Sequence, residues 1–297
     1  MPADRHGVTV VIPTLGRGSL ARTLDALTRQ SRPPDEVLQI IDQDRRGPAW
    51  GRNEGIRRAK GDLIAFTDDD CVPGPEWLAT LIGAIDRHDA DGAGGNLRES
   101  DPLLRAVQQG RRAKPAAEQL DAGGLVGTGG NVMFRRRCLE ATAARDGFVY
   151  NQSFLVAEDW ELAYHLRSRG ARLVYVPFEV DHLRTARAWS YLRLQYARGI
   201  VIAALYLDQK RLRIPITPHE SLLWGAGTQP SRPRWAAILW NKTIGPFNWS
   251  AFEHWHHYVL YWLGQKAQGL GFLWGLIRVR RTLHFRSESD NVMRRTA

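Results

Sequence analysis

Three adjacent aspartates, Asp68, Asp69 and Asp70, are the residues of this 297-residue chain whose types and spacing most directly indicate chemistry. They follow the apolar run Leu63–Phe66, and three carboxylates at the end of a buried strand repel one another unless a cation or protons compensate. Mg²⁺ and Mn²⁺ take oxygen ligands, commonly one or two carboxylates together with substrate phosphates. Asp68 and Asp70 are therefore candidate ligands of one such ion. An acidic, solvated loop that caps the next helix is the alternative.

A second acidic pair, Glu158-Asp159, follows four apolar residues, 154–157. We expect a helix to begin at this pair, and acidic side chains at a helix start complement the helix dipole. The pair alone therefore indicates a helix N-terminus as readily as a reactive carboxylate.

The elements that must position these acids form an alternating pattern. The order is predicted as strands over residues 8–13, 36–41 and 63–66, with a helix from Leu20 to about Leu27 and another over Arg52 to Lys60. Strands that alternate with helices predict a mostly parallel α/β sheet. Ligands of such sheets bind beyond the carboxyl ends of the strands. Pro13-Thr14, Asp42 and the three aspartates all fall at such ends.

The rest of the chain is less regular. Further predictions are a helix over 76–88, a loop with a helical piece over 100–124, a strand over 126–134 that contains Gly129-Gly130, a helix over 158–169 and a strand over 173–176. Residues 186–297 lose the alternation and are predicted to form helices joined by loops that contain Pro and Gly.

Taken in order, several short motifs resemble the family 2 glycosyltransferases, whose nucleotide-binding fold is called GT-A. The resemblance covers about residues 8–185 and rests on these segments: Val10–Thr14, Ile41-Asp42, Gly51–Gly55, Phe66–Pro73, Gly127–Arg135, Glu158–Leu162 and His182. It implies a Rossmann-like, mostly parallel sheet flanked by helices, followed by a mainly helical C-terminal extension. It also implies transfer of a sugar from a nucleotide diphosphate donor, with a UDP-sugar favoured.

The resemblance implies roles for particular residues on the donor side. Those assigned to the nucleotide are Pro13, Thr14, Asp42, Arg52, Asn53, Asp68 and Asp69; those assigned to the donor sugar are Gly129, Gly130 and Asn131; and those assigned to a divalent cation, Mg²⁺ or Mn²⁺, are Asp68, Asp70 and His182. A carboxylate at position 42 is a sensible acceptor for a base N–H, but the family usually has a second acid directly after it, and here Gln43 intervenes. A turn aspartate, a surface arginine and a structural histidine are the respective alternatives for Asp42, Arg52 and His182.

On the acceptor side, the resemblance makes Asp159 the general base. An acceptor hydroxyl must lose its proton as it attacks the anomeric carbon, and a carboxylate within about 3 Å can take that proton. Direct displacement of this kind inverts the anomeric configuration. Glu158 is expected to position the acceptor, and Trp160 either stacks on a sugar face or packs.

The net charge of +10 is concentrated in one part of the chain. Residues 1–185, the predicted catalytic domain, hold 25 Lys and Arg against 26 Asp and Glu, whereas residues 186–297 hold 16 against 5 and eight of the eleven tryptophans. Basic residues interleaved with Trp suit an anionic membrane surface. Nucleic acid is a less favoured partner. The alternative without a binding function is a helical lobe whose tryptophans form its core. We therefore predict an acceptor or membrane-interface segment over residues 186–297.

The remaining sequence features concern the location of the protein, its two cysteines and the alternative functions. No spanning apolar run or secretory leader is apparent, which predicts a cytoplasmic protein, peripheral on the inner face of the membrane. Cys71 and Cys138 lack metal-ligand spacing, and Cys71 is expected to be a small buried side chain. Two alternatives remain: a sugar nucleotidyltransferase, because Leu15–Gly18 approximates its glycine-rich loop, and a non-catalytic binding protein.

Overall fold

The structure, a computed structural model, describes residues 6–102, 104–105, 116–120, 129–154, 156–185, 187–212 and 255–282. The chain divides into two compact units. Of the described residues, those between 6 and 98 and between 116 and 183 belong to unit 1, and those between 99 and 105 and between 184 and 282 belong to unit 2.

Unit 1 is built on an eight-stranded sheet. Its strands are β1 (Val8–Thr14), β2 (Glu36–Ile41), β3 (Leu63–Phe66), β4 (Cys71–Val72), β5 (Gly92–Glu99), β6 (Gln119–Leu120), β7 (Val132–Arg135) and β8 (Leu173–His182). They lie in the order β2-β1-β3-β7-β5-β8-β4, with β6 paired to β8. β1 runs parallel to both β2 and β3, as predicted from the β-branched runs.

The sheet is mixed beyond β3. β7 pairs antiparallel with β3 and with β5, and β8 pairs antiparallel with β4 and β6. Side chains alternate between its faces, so that Val10 and Ile12 of β1 enter one apolar cluster and Val11 enters the other. This gives a helix–sheet–helix sandwich in which β1 is buried on both sides.

The helices of unit 1 cover the two faces of the sheet. They are α1 (Leu20–Thr28), α2 (Pro48–Arg58), α3 (Trp77–Arg87), α4 (Arg136–Asp146) and α5 (Glu158–Ser168). α1 and α3 contribute Leu27 and Trp77 to the first cluster, and α5 contributes Leu162 to the second.

Some boundaries differ from the predictions. β5 was not anticipated, β8 extends to His182, and Gly129-Gly130 lie in a turn before β7. The predicted strand over 126–134 is therefore wrong at its glycines. Most of the predicted loop over 100–124, together with Gly127 and Thr128, lies outside the described residues.

Unit 2 contains two long helices, α6 (Ala188–Leu212) and α7 (Trp255–Thr282). Near its start, Arg184 pairs with Glu99 at 3.2 Å between Nη2 and Oε1. Leu104, Tyr191 and Leu260 form a small buried cluster. Across the described residues, no helix combines the length and the apolar character that crossing a membrane requires.

Candidate active site at the strand ends of unit 1

The first part of the site lies where β1, β2 and β3 end side by side. The backbone N–H of Asp42, just after β2, donates to the carbonyl of Thr14 at 2.8 Å. The Thr14 hydroxyl donates to Asp69 Oδ2 at 2.6 Å, and both side chains are buried. Pro13 precedes Thr14 in β1. The ends of the three strands therefore lie together, with Thr14 at their centre.

Asp42 forms a buried carboxylate beside this junction. Its Oδ2 accepts the backbone N–H of Gly47 at 2.7 Å, which ties it to the start of α2. Its Oδ1 is buried and accepts no hydrogen bond from the described residues, although Arg46 Nε lies 3.8 Å away. An acceptor atom in this state has capacity for a donor supplied by a ligand.

Arg17 brings a cation to the aspartate cluster. It lies in the turn after β1, and its Nη1 is 3.5 Å from Asp69 Oδ1 and 3.7 Å from Asp70 Oδ2. Its side chain is 55% exposed, so it has room to move toward an anionic ligand. The family resemblance gives Arg17 no role, and the sequence indicated it only as part of the Leu15–Gly18 loop of the nucleotidyltransferase alternative.

A candidate metal cluster lies on the other side of the aspartates. β4 and β8 pair so that Cys71 is opposite His182, which places His182 Nε2 3.3 Å from Asp70 Oδ1. Ligand atoms of Asp70, Cys71 and His182 all lie within 4.8 Å of one another. A carboxylate and an imidazole suit Mn²⁺ and related divalent ions. Cys71, which belongs to the apolar core as predicted, is an addition to the predicted ligand set.

Asp68 is directed elsewhere. Its Oδ1 accepts a hydrogen bond from Arg52 Nη2 at 2.8 Å, and its side chain is 30% exposed. Asp68 is not part of the three-residue cluster found among the described residues. Sharing of one ion by Asp68 and Asp70 therefore stays a prediction.

Arg52 joins the two acidic motifs. It projects from α2, is only 3% exposed, and donates from Nη2 to Asp68 and from Nη1 to Glu158 Oε1. Its guanidinium carbon lies 5.4 Å from the centre of the Tyr150 ring. Burial opposes the charge, but the carboxylates of Asp68 and Glu158 outweigh it and raise the pKa of Arg52 above its usual value. The alternative of a surface arginine is wrong.

The turn before β7 packs directly on this arginine. A Cβ added to Gly129 would overlap Arg52 Nη2, and one added to Gly130 would lie 3.0 Å from Cys71 Sγ and 3.1 Å from Asp68 Oδ2. The two glycines therefore allow the backbone to approach both the arginine and the aspartate.

Asp159 is held by backbone groups on both of its carboxylate oxygens. Oδ2 accepts the N–H of Gly129 at 2.8 Å, and Oδ1 accepts the N–H of Trp160 at 2.9 Å. Burial, together with the adjacent charge of Glu158, raises the pKa of Asp159 to about 7, against the lowering effect of Arg52 and these two hydrogen bonds. A carboxylate with a pKa near neutral is suited to accept and release a proton.

The residue that precedes α5, and so precedes the Glu158-Asp159 pair, has an unusual backbone conformation. Ala157, which precedes the helix, has φ 58° and ψ 27°, a left-handed conformation that costs a non-glycine residue about 1 kcal/mol or more. Glu158 is buried against Arg52, whereas Trp160 is partly exposed. Strain of this kind is concentrated at functional sites.

Two predicted ligand residues, Asn53 and Asn131, make hydrogen bonds within the protein. Asn53 donates to the carbonyl of Tyr150 at 2.7 Å and accepts its N–H at 2.8 Å. Asn131 is fully buried, accepts from Trp77 Nε1 at 2.9 Å, and donates to two backbone carbonyls. Their predicted contacts with nucleotide and sugar stay predictions, and the contacts made here are with the protein itself. Tyr150 had no local sequence signal.

Comparisons with known proteins bear on the family of the chain and on its fold. Residues 38–142 match the family described as glycosyl transferase family 2, which confirms the predicted resemblance. The chain is 30% identical over 101 residues to Glycosyltransferase AglE of Haloferax volcanii, covering 34% of this chain and 32% of that protein. It is 24% identical over 192 residues to the pre-mycofactocin glycosyltransferase of Mycobacterium tuberculosis, covering 60% and 39% respectively. The matched part thus spans between about a third and two fifths of the length of these relatives.

The fold is likewise similar to a solved structure. A mannosyltransferase from Pyrobaculum calidifontis, determined in complex with GDP-Man and Mn²⁺, aligns with a TM-score of 0.60 at 18% identity, over 93% of this chain and 88% of that one. The predicted fold class is confirmed: a mixed sheet flanked by helices, of the GT-A kind, with a helical C-terminal region.

Proposed function

We propose that this chain is an inverting glycosyltransferase that moves a sugar from a nucleotide diphosphate sugar to an acceptor hydroxyl. The observation that carries the proposal is the buried arginine network: Arg52 holds Asp68 of the aspartate cluster and Glu158 of the second acidic motif at once. Two motifs far apart in sequence are thereby fixed in one site, as expected if one binds the donor and the other acts on the acceptor. The family match supports the same activity.

The nucleotide would lie across the ends of β2 and β1. Asp42 would offer its Oδ1 atom to a base N–H, and Pro13 and Thr14, at the end of β1, would line the nucleotide site beside it. Arg17 is placed to meet phosphate charge, while Asn53 fixes the segment behind Arg52. A UDP-sugar is the favoured donor. A GDP-sugar is the alternative donor, because the mannosyltransferase of similar fold was solved with GDP-Man.

Asp70 and His182 would hold a divalent cation. Asp68, which the family resemblance implies as a ligand but which lies outside that cluster, would be drawn to the ion from its contact with Arg52. When bound, Mg²⁺ or Mn²⁺ would supply charge neutralisation for the departing diphosphate. Asp70 and His182 fit such an ion, because carboxylate and imidazole donors converge beside a strand end that Arg17 also faces.

Asp159 would act as the base. The acceptor oxygen forms its bond to the anomeric carbon as the bond from that carbon to the phosphate oxygen breaks, and the hydroxyl proton passes to the Asp159 carboxylate. Attack from the face opposite the phosphate inverts the configuration. Gly129 N–H orients the carboxylate, and Glu158 keeps its proton affinity high. Trp160, which is partly exposed beside Asp159, would meet the acceptor.

The acceptor hydroxyl would belong to a glycan, a lipid-linked molecule or a small molecule. We assign residues 1–185 to donor binding and catalysis, and residues 186–297 to the acceptor and to a membrane surface. The charge difference between the two segments supports this division.

Sugar transfer from a panel of nucleotide sugars, assayed with Mn²⁺, tests the function. Asp70→Asn and Asp159→Asn are each expected to lower transfer at least a hundredfold. Asp25→Asn is the matched control, because Asp25 is a surface aspartate whose side chain is 60% exposed. Full activity in either site variant would refute the assigned roles, and pyrophosphate release from nucleoside triphosphates would favour a nucleotidyltransferase instead.

A further inference from the structure

Helix α7 of unit 2 uses one face completely to pack on α6. A Cβ added to Gly271 would overlap the carbonyl oxygen of Tyr196, and one added to Gly199 of α6 would overlap that of Gln268. The two backbones are therefore in direct contact, and this inner face of α7 is closed by glycines. Such contact makes the helix pair a rigid support.

The opposite face of α7 is apolar as well, but it is exposed. Its large exposed side chains are Trp255 (77%), Val259, Trp262, Leu263, Leu270, Leu273, Trp274 and Ile277 (73%). At 3.6 residues per turn they fall within a sector of about 120°, centred opposite the glycine face. We call these eight residues the outer stripe. It runs over 23 residues, or about 33 Å at 1.5 Å per residue.

The charge of α7 favours one kind of partner for the outer stripe. α7 contains no Asp or Glu. Lys266 lies within the sector, with its Nζ 4.7 Å from the centre of the Trp262 ring, and the sequence ends the helix with Arg278, Arg280 and Arg281. Apolar side chains mixed with cations and no acids complement an anionic surface. They oppose pairing with a second copy, whose stripe would carry the same positive charge.

We propose that the outer stripe of α7 binds an anionic lipid surface, with the helix lying in the plane of the membrane interface. Indole rings favour the headgroup region, where apolar faces meet the acyl boundary, and cations beside them add attraction to anionic lipids. The stripe is long and is supported from behind by α6, as an in-plane helix requires. This assignment deepens the membrane part of the proposed function and does not depend on sugar transfer.

The test is flotation of the full chain with vesicles of phosphatidylcholine alone or with 30% phosphatidylglycerol. We expect flotation with the anionic vesicles that weakens as salt rises, and little with the neutral ones. The variant Trp262→Gln/Leu270→Gln/Ile277→Gln is expected to lower the partition coefficient at least about tenfold, because it removes three large apolar contacts. All three side chains are exposed, so the fold should be retained, which far-ultraviolet circular dichroism checks.

A pair of single variants supplies the matched control. Leu263 on the stripe is 40% exposed, and Leu120 on β6 is 37% exposed. Leu263→Gln should weaken vesicle binding, and Leu120→Gln should not. Equal flotation of the triple variant and the parent chain, or no binding of the parent chain to anionic vesicles, would overturn the proposal. A parent dimer that the triple variant converts to monomer, without vesicle binding, would instead identify a second copy as the occupant.

Thermal shift with UDP or GDP and Mn²⁺ on the same samples separates this proposal from the previous one. A retained nucleotide response without vesicle binding removes only the lipid assignment. Vesicle binding without any nucleotide response removes only the donor-site assignment.

Discussion

Replacing Arg52 with methionine is expected to destabilise unit 1 by about 3–5 kcal/mol, because it leaves buried carboxylate charge uncompensated. The side chains of Arg52 and Glu158 are 3% and 6% exposed. Opposite charges about 4 Å apart interact by about 4 kcal/mol at an effective dielectric constant near 20. Asp68 is 30% exposed, so its pair with Arg52 should add only about 1 kcal/mol. Most of the loss therefore comes from Glu158.

The double-mutant cycle with Glu158→Gln isolates that interaction. Glu158→Gln alone should cost about 1–2 kcal/mol, because Arg52 keeps Asp68 and the glutamine oxygen still accepts a hydrogen bond. In Arg52→Met/Glu158→Gln no buried carboxylate remains at position 158, so the double variant should be more stable than the sum of the single losses predicts. We expect a coupling of about 2 kcal/mol or more.

Urea-induced unfolding followed by circular dichroism measures each free energy of unfolding. Arg17→Met is the matched control, because Arg17 also pairs with the aspartate cluster but is 55% exposed. It should cost less than about 1 kcal/mol. The stability loss of Arg52→Lys should lie between those of Arg52→Met and Arg17→Met, because lysine keeps the charge but lacks the planar guanidinium that reaches both carboxylates.

Two outcomes would refute the reasoning. If Arg52→Met cost no more than Arg17→Met, the buried network would not hold the site together. If the cycle were additive within about 0.5 kcal/mol, the pair of Arg52 with Glu158 would not be the source of the loss.

The remaining predictions concern pH and backbone approach. kcat/KM should rise with pH through an apparent pKa of about 7. Glu158→Gln should move that midpoint to lower pH, because it removes a charge that raises the pKa of Asp159. An unchanged midpoint would contradict this. Because the folded chain holds the Asp159 proton more tightly than the unfolded chain, stability should fall as pH rises from about 4 to about 7, and Asp159→Asn should abolish that fall in urea titrations at several pH values. Gly129→Ala should lower transfer at least tenfold because its Cβ would displace Arg52, whereas Gly18→Ala, which meets open space, should leave the free energy of unfolding within about 0.5 kcal/mol. Equal transfer by Gly129→Ala and the parent chain would contradict the close approach.

The parallel part of the sheet was predictable because its sequence signal is local. β1, β2 and β3 are apolar or β-branched runs, and their observed bounds differ from the predicted ones by at most one residue. The run of β5, Gly92–Glu99, contains three glycines and no β-branched residue, so it carries no strand signal of its own. It forms a strand because β7 lies beside it, a contact between distant segments.

The site was predictable in its residue types more than in its contacts. Acid clusters at strand ends indicated where the chemistry would lie, and the strand ends do meet. The partners of Arg52 could not be predicted, because Glu158 is 106 residues away and only the fold brings it near. The same holds for His182, which reaches Asp70 through the pairing of β8 with the two-residue strand β4.

The arginine network also bears on how the two halves of the reaction are coupled. Arg52 binds Asp68 through Nη2 and Glu158 through Nη1. A change in the charge of Asp68 therefore alters how strongly Arg52 stabilises the negative charge of Glu158 and Asp159. A cation that draws Asp68 away would leave Arg52 more fully to the second acidic motif, and would thereby lower the pKa of Asp159 and favour its basic form. The base would then be most competent when the donor and its ion are in place, because a single buried arginine serves both motifs.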